Sequence, residues 1–135
     1  IHRMKPIKQE DQLGCAVACV SFRLNISYKN SLVLFKYGKR KAKNTGFLCK
    51  EIVKALGKRG FNYKYNYVKD KIRNKIYQSG TIVFLKRSKK YPAGHYLYRA
   101  DNKWMDPWIN FPDSKIEAGF RKKLPEKPIY LIYSY

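Results

Sequence analysis

The chain of 135 residues is long enough for one cored domain and too short for two, and 44% apolar with 16% aromatic content excludes a disordered polymer. Thirty Lys and Arg against nine Asp and Glu give a net charge of +21, a field that favours polyanions, anionic surfaces or acidic partners. The longest apolar runs, TIVFL and IYLIY, are too short to span a bilayer as a helix, and three cysteines argue against an evenly paired disulfide framework.

In chain order, the loop KPIKQEDQLG leads into residues 15–24, where Ala16, Val17, Val20 and Leu24 recur at helical spacings. SYKNSLVLFKYG predicts a second short helix, with Ser27 or Asn30 as cap and Gly38 as stop. NTGFLCKEIVKALGKRGF is the clearest helix. Leu48, Ile52, Ala55 and Leu56 form its stripe, Glu51 lies early, Lys54 and Lys58 late, and Gly57 or Gly60 ends it. The period then changes to two: in FNYKYNYV, residues 61–68, Phe61, Tyr63, Tyr65 and Tyr67 share one strand face. KDKIRNKIYQSG predicts a turn or two of helix, and TIVFLKR, HYLYRA, KWMDPW and PIYLIYSY predict strands. YLYRADNKWMD forms a hairpin around Asp101-Asn102. Helices followed by antiparallel strands give an α+β fold, with N-terminal helices packed on a C-terminal antiparallel sheet. The start at Ile1 without a signal-peptide pattern is read as a single domain, residues 1–135, excised from a longer chain. Its compartment stays open between a reducing bacterial cytoplasm and secretion inside a larger protein.

Histidine is scarce, with His2 at the chain start and His95 at a loop-to-strand junction. A tight turn at 101–102 brings positions near 95–97 opposite positions near 106–108, so Asp106 can orient the His95 imidazole. Cys15 begins a helix, where unpaired N–H groups and a nearby imidazolium favour the thiolate. A thiolate–imidazolium pair is a nucleophile for acyl transfer, and an oxyanion donor is then required. Gln9, six residues before Cys15, is placed for that role, with Gln12 the other amide in the segment. Cys15, Cys19, Cys49 and His95 could instead hold zinc, but no tight Cys-x-x-Cys pair exists, and Cys19 and Cys49 are assigned to the helical core. No cofactor is called for.

The segment QEDQLGCAVAC, residues 9–19, resembles the Gln-x5-Cys signature of the bacteriocin-processing cysteine peptidases, the papain-like domains that precede double-glycine-leader exporters. NTGFLCKEIVKALGKRGFNYKYNYV is similar to that family's second helical block and following strand. SGTIVFLKRSKKYPAGHYLYRADNKWMDPW and KPIYLIYSY resemble its closing strands. The resemblance implies Cys15 as nucleophile, His95 as general base and acid, Asp106 as orienting carboxylate and Gln9 as oxyanion donor. Gly14 and Ala16 depart from the usual flanks of the cysteine.

The leading expectation is therefore a papain-like cysteine hydrolase acting on a peptide or protein. The alternative is a basic papain-like toxin domain of a secreted bacterial effector. It would act on RNA, gripped by Lys and Arg with Tyr63, Tyr65 or Tyr67 stacking, and would be neutralised by an acidic immunity protein. A third expectation is a non-catalytic binding module of the same fold.

Overall fold

The computed structural model describes residues 5–108 and 118–135; His2 lies outside them. Helix α1, Cys15–Leu24, runs through the middle of the molecule, and its residues from Cys15 to Phe22 are all buried. Small side chains at Ala16, Ala18 and Cys19 let its backbone approach neighbours on several sides, and α1 packs on both the helices and the sheet. Asn25 ends it in the left-handed conformation, φ 57°, a region Asn tolerates better than most residues.

Helix α2, Tyr28–Leu32, is capped by Ser27, whose side chain accepts from the Asn30 N–H at 3.0 Å. Gly38 does not stop this helix, contrary to the sequence expectation. Helix α2 ends at Leu32, and Gly38 instead opens α3, Gly38–Asn44, a basic helix that the apolar pattern did not announce. The reason is steric: a Cβ on Gly38 would stand 2.4 Å from the Leu32 carbonyl oxygen, so the tight return between the helices requires glycine. Helix α4, Cys49–Gly57, buries Ile52, Ala55 and Leu56. Leu48 is not part of that stripe; it precedes the helix and is 60% exposed. The Glu51 carboxylate accepts from the Leu48 N–H at 2.9 Å and pairs with Lys41, tying α4 to α3.

The strands are β1 (Tyr63–Tyr67), β2 (Ile82–Leu85), β3 (His95–Ala100), β4 (Lys103–Asp106), β5 (Gly119–Arg121) and β6 (Pro128–Ser134). A 3-10 segment, Asp70–Tyr77, separates β1 from β2. All pairings are antiparallel, in the order β1-β6-β2-β3-β4-β5, so the last strand inserts between the first and second. Alternation sorts the strands into two faces. Tyr63, Ile82, Tyr96, Tyr98, Met105 and Ile132 pack with the helices, while Val83, Leu85, Leu97, Trp104, Leu131 and Tyr133 form a second core with Ile76 of the 3-10 segment. This is the expected α+β arrangement. The strand expected over 61–68 covers only Tyr63–Tyr67, and the tyrosines of its shared face divide: Tyr63 is buried, donating to the Gly80 carbonyl at 2.8 Å, while Tyr65 and Tyr67 are exposed beside Tyr130.

Candidate active site

Cys15 is the first residue of α1, and Gly14 before it supplies no side-chain cap. The opening N–H groups of the helix are therefore not claimed by a capping side chain, and the helix dipole favours negative charge there. The turn that delivers Cys15 is fixed from outside. Gly14 N–H donates to the Asp11 carbonyl at 3.1 Å, and the Tyr28 hydroxyl donates to Asp11 Oδ2 at 2.9 Å. A Cβ on Gly14 would fall 1.9 Å from that hydroxyl, so glycine and Tyr28 are matched at the mouth of the helix.

His95 opens β3 and Asp106 closes β4; the ladder that pairs Tyr98 with Met105 leaves both at one end of the hairpin. Asp101 makes the turn at φ 57°. His95 Nε2 lies 2.7 Å from Asp106 Oδ1, and both residues are only 1% exposed. A carboxylate oxygen can only accept, so Nε2 carries the hydrogen and Nδ1 is left for other partners. Asp106 Oδ1 also accepts from the Trp108 N–H at 3.0 Å, and Oδ2 stands 3.4 Å from Arg121 Nε. Burial raises the Asp106 pKa, but the His95 hydrogen bond and charge, the Trp108 N–H and Arg121 outweigh it and hold the carboxyl below its ordinary value.

Cys15 meets the same imidazole. Burial alone would lower the His95 pKa; the Cys15 charge, the Asp106 hydrogen bond and a hydrogen bond from the imidazolium to Cys15 reverse this and raise it to about 9. The imidazolium is therefore the stable form at neutral pH, with Nε2 on the Asp106 carboxylate. Cys19, one turn deeper, is fully buried, and burial pushes its thiol well above the ordinary value. Cys49 is pushed by burial to about 11, and its Sγ lies 3.7 Å from the Tyr96 hydroxyl. Both sit in the helical core as expected, and the described residues contain no group of three or more His, Cys, Asp or Glu able to hold a metal ion.

Gln9 is fully buried and its backbone N–H donates to the Pro107 carbonyl at 3.0 Å, which joins the loop before Cys15 to the turn after Asp106. Its Nε2 donates to the carbonyls of Asp11, 3.0 Å, and Gln12, 2.9 Å. Gln12 is exposed and enters only through that carbonyl. Sequence reasoning missed three residues here. Tyr91 stacks flat on His95, Trp108 meets both rings edge-on, and Arg121 reaches Asp106 from β5. Trp108 directly follows Asp-Pro in the sequence; Tyr91 and Arg121 carried no pattern signal.

A groove of about 690 Å³ is lined by Leu13 from the Cys15 loop and Gly94 before His95, with Phe47 and Tyr130 and the charged Lys41 and Arg87; Cys15, His95 and Asp106 do not line it.

No family model and no curated protein matches the chain. Solved structures do. The peptidase domain of Streptococcus ComA, described as a bi-functional ABC transporter involved in a quorum-sensing pathway, is similar with a TM-score of 0.64 at 19% identity, over 97% of each chain. The peptidase domain of Streptococcus mutans ComA is similar with a TM-score of 0.56 at 18% identity, over 97% of this chain and 98% of that one. The chain thus has the fold of the ComA peptidase domain.

Proposed function

We propose that the chain is a papain-like cysteine peptidase in which Cys15, His95, Asp106 and Gln9 carry the chemistry. The observation that carries this reading is the buried His95–Asp106 hydrogen bond of 2.7 Å, formed where the uncapped start of α1 presents Cys15 to the same imidazole. In this reading the Cys15 thiolate attacks the carbonyl of a peptide lying in the adjoining groove. The Cys15 backbone N–H and the Gln9 amide stabilise the oxyanion. The His95 imidazolium gives its proton to the leaving amine, and the neutral imidazole then takes one from the water that clears the thioester. Asp106 accepts a hydrogen bond from Nε2 throughout and keeps Nδ1 turned to the thiol.

Similarity to the ComA peptidase domains supports the peptidase class through fold alone, and a double-glycine leader is the first substrate to try. The test is incubation of the reduced protein with a peptide library that includes such leaders, and in parallel with total RNA, beside Cys15→Ser. Peptide cleavage abolished in Cys15→Ser is expected. RNA cleavage that survives Cys15→Ser but not His95→Ala would overturn the reading in favour of an RNA-directed toxin.

A further inference from the structure

We propose that Tyr91 is a positioning residue for the His95 imidazole, acting through a face-to-face stack that fixes the ring and favours its protonated form. The proposal rests on the cysteine-peptidase reading for its consequence, although the stack itself can be measured without a substrate. The ring centroids of Tyr91 and His95 are 4.4 Å apart with planes only 4° from parallel. Trp108 closes the arrangement, edge-on to His95 at 5.6 Å and to Tyr91 at 5.2 Å.

An imidazole that serves two partners has a specific weakness. Rotation about its Cβ–Cγ bond moves both nitrogens at once, so losing Asp106 at one end also turns Nδ1 away from Cys15. A flat ring against one face, with a perpendicular indole against the pair, opposes that rotation where a single hydrogen bond would leave it open. The π face also attracts a cation, so the stack adds to the preference for imidazolium.

The loop is built around this residue. Tyr91 N–H donates to Ser88 Oγ at 3.1 Å, while the Tyr91 carbonyl accepts from Ser88 N–H at 3.0 Å and from Gly94 N–H at 2.9 Å. Gly94, at φ 80°, then turns the chain into β3; a Cβ there would strike the Phe84 ring at 2.2 Å. Tyr91 is 2% exposed although its neighbours Lys89 and Lys90 are exposed. Three hydrogen bonds fix the Tyr91 backbone and two ring contacts hold its side chain, whose ring faces the histidine.

The charged and titratable groups around the pair are Cys15 from α1, Asp106 from β4, Arg121 from β5, and Lys90 and Glu126 near Tyr91. Tyr91→Phe and Tyr91→Leu leave all of them in place. The phenyl variant keeps the stacked face, whereas the leucine keeps apolar bulk and removes it.

The chain has only two histidines, so imidazole NMR signals are assignable with His2→Gln as the reference. In the wild type, the His95 ring protons are expected upfield of their ordinary positions through the ring current of Tyr91. Tyr91→Phe should keep that shift and the titration midpoint. Tyr91→Leu should lose the shift, lower the midpoint by about half a unit, and slow Cys15 alkylation at pH 8. Far-UV circular dichroism checks that the variant is folded. A folded Tyr91→Leu with wild-type midpoint and wild-type Cys15 labelling would overturn the proposal. So would the absence of the upfield shift in the wild type, which decides the matter even if Tyr91→Leu fails to fold. Failure of the peptidase reading looks different: Cys15, Cys19 and Cys49 would label at equal rates in the wild type while the ring-current shift remained.

Discussion

The raised pKa of His95 makes fold stability fall as the solution becomes alkaline, and its size can be worked out. A histidine in the unfolded chain titrates near 6.5, while the folded value is about 9. The folded state therefore holds the proton more tightly, so the stabilisation is fully present below 6.5 and is lost as pH rises through 9. Two and a half units at 1.36 kcal/mol each set an upper bound of about 3 kcal/mol between pH 6 and pH 9, reached only where the Cys15 thiol carries the same charge in the folded and unfolded chains. His95 is fully buried, so solvent screening does not reduce this much. Cys19 and Cys49 stay protonated across that window and contribute little. The assay is urea unfolding of the reduced protein at pH 6, 7.5 and 9, followed by tryptophan fluorescence. The wild type should lose up to about 3 kcal/mol across the series, while His95→Gln, which carries no titrating ring, should be flatter. Stability that rises toward pH 9, or a wild-type slope reproduced in His95→Gln, would refute the reasoning.

Cys15 should react with iodoacetamide at pH 7 at least about a hundredfold faster than Cys49, whose thiol, pushed to about 11, is almost entirely protonated there. Peptide mapping by mass spectrometry measures the ratio. Gly14→Ala, which drives a methyl group into the Tyr28 hydroxyl at 1.9 Å, should destabilise by about 1–3 kcal/mol. Tyr28→Phe should cost about 1 kcal/mol alone through the lost bond to Asp11, yet recover part of the Gly14→Ala loss when combined with it. A purely additive double variant in chemical denaturation would show that the two positions are not coupled. Arg121→Met removes a cation 3.4 Å from Asp106 and should raise the His95 midpoint, because a positive charge beside the pair disfavours the imidazolium; a downward shift by NMR would contradict this.

The parts of the site carried by local rules were legible in the sequence. A cysteine ahead of a small-residue helical run, and a His and an Asp on the two strands of a tight hairpin, follow from helical period and strand register. Those rules place Cys15, His95 and Asp106 at α1, β3 and β4 as found. Position in a strand did not reveal neighbours supplied by a third element. Arg121 lies on a three-residue strand too short to leave an alternating pattern, and Tyr91 sits in a lysine-rich loop that reads as solvated surface. Gly38 reads as a helix stop in the sequence because a glycine that ends one helix and a glycine that permits close approach of the next share one signature; the Leu32 carbonyl beside it decides between them. The burial of Tyr63 beside exposed Tyr65 and Tyr67 likewise depends on where the helical layer ends, which strand period does not encode.

In the proposed mechanism Gln9 links the resting geometry to catalysis. Both Nε2 hydrogens are engaged by neutral carbonyls of its own loop, and Oε1 has no hydrogen-bond partner among the described residues. A donor so arranged gives a neutral substrate carbonyl little, because the exchange replaces one neutral bond with another. An oxyanion is different: charge-assisted hydrogen bonds are roughly twice as strong as neutral ones, so one N–H gains by leaving the Asp11 or Gln12 carbonyl for the developing charge. The preference arises only as charge develops, which is the condition for an interaction to raise kcat rather than merely lower KM. Gln9→Ala should therefore reduce kcat by about 10²–10³ with KM changed by less than about threefold. Cys15 alkylation, which forms no oxyanion, should keep near its wild-type rate. A variant that raised KM and left kcat intact would assign the Gln9 amide to binding the ground state, and a parallel collapse of alkylation would assign it to shaping the loop that delivers Cys15.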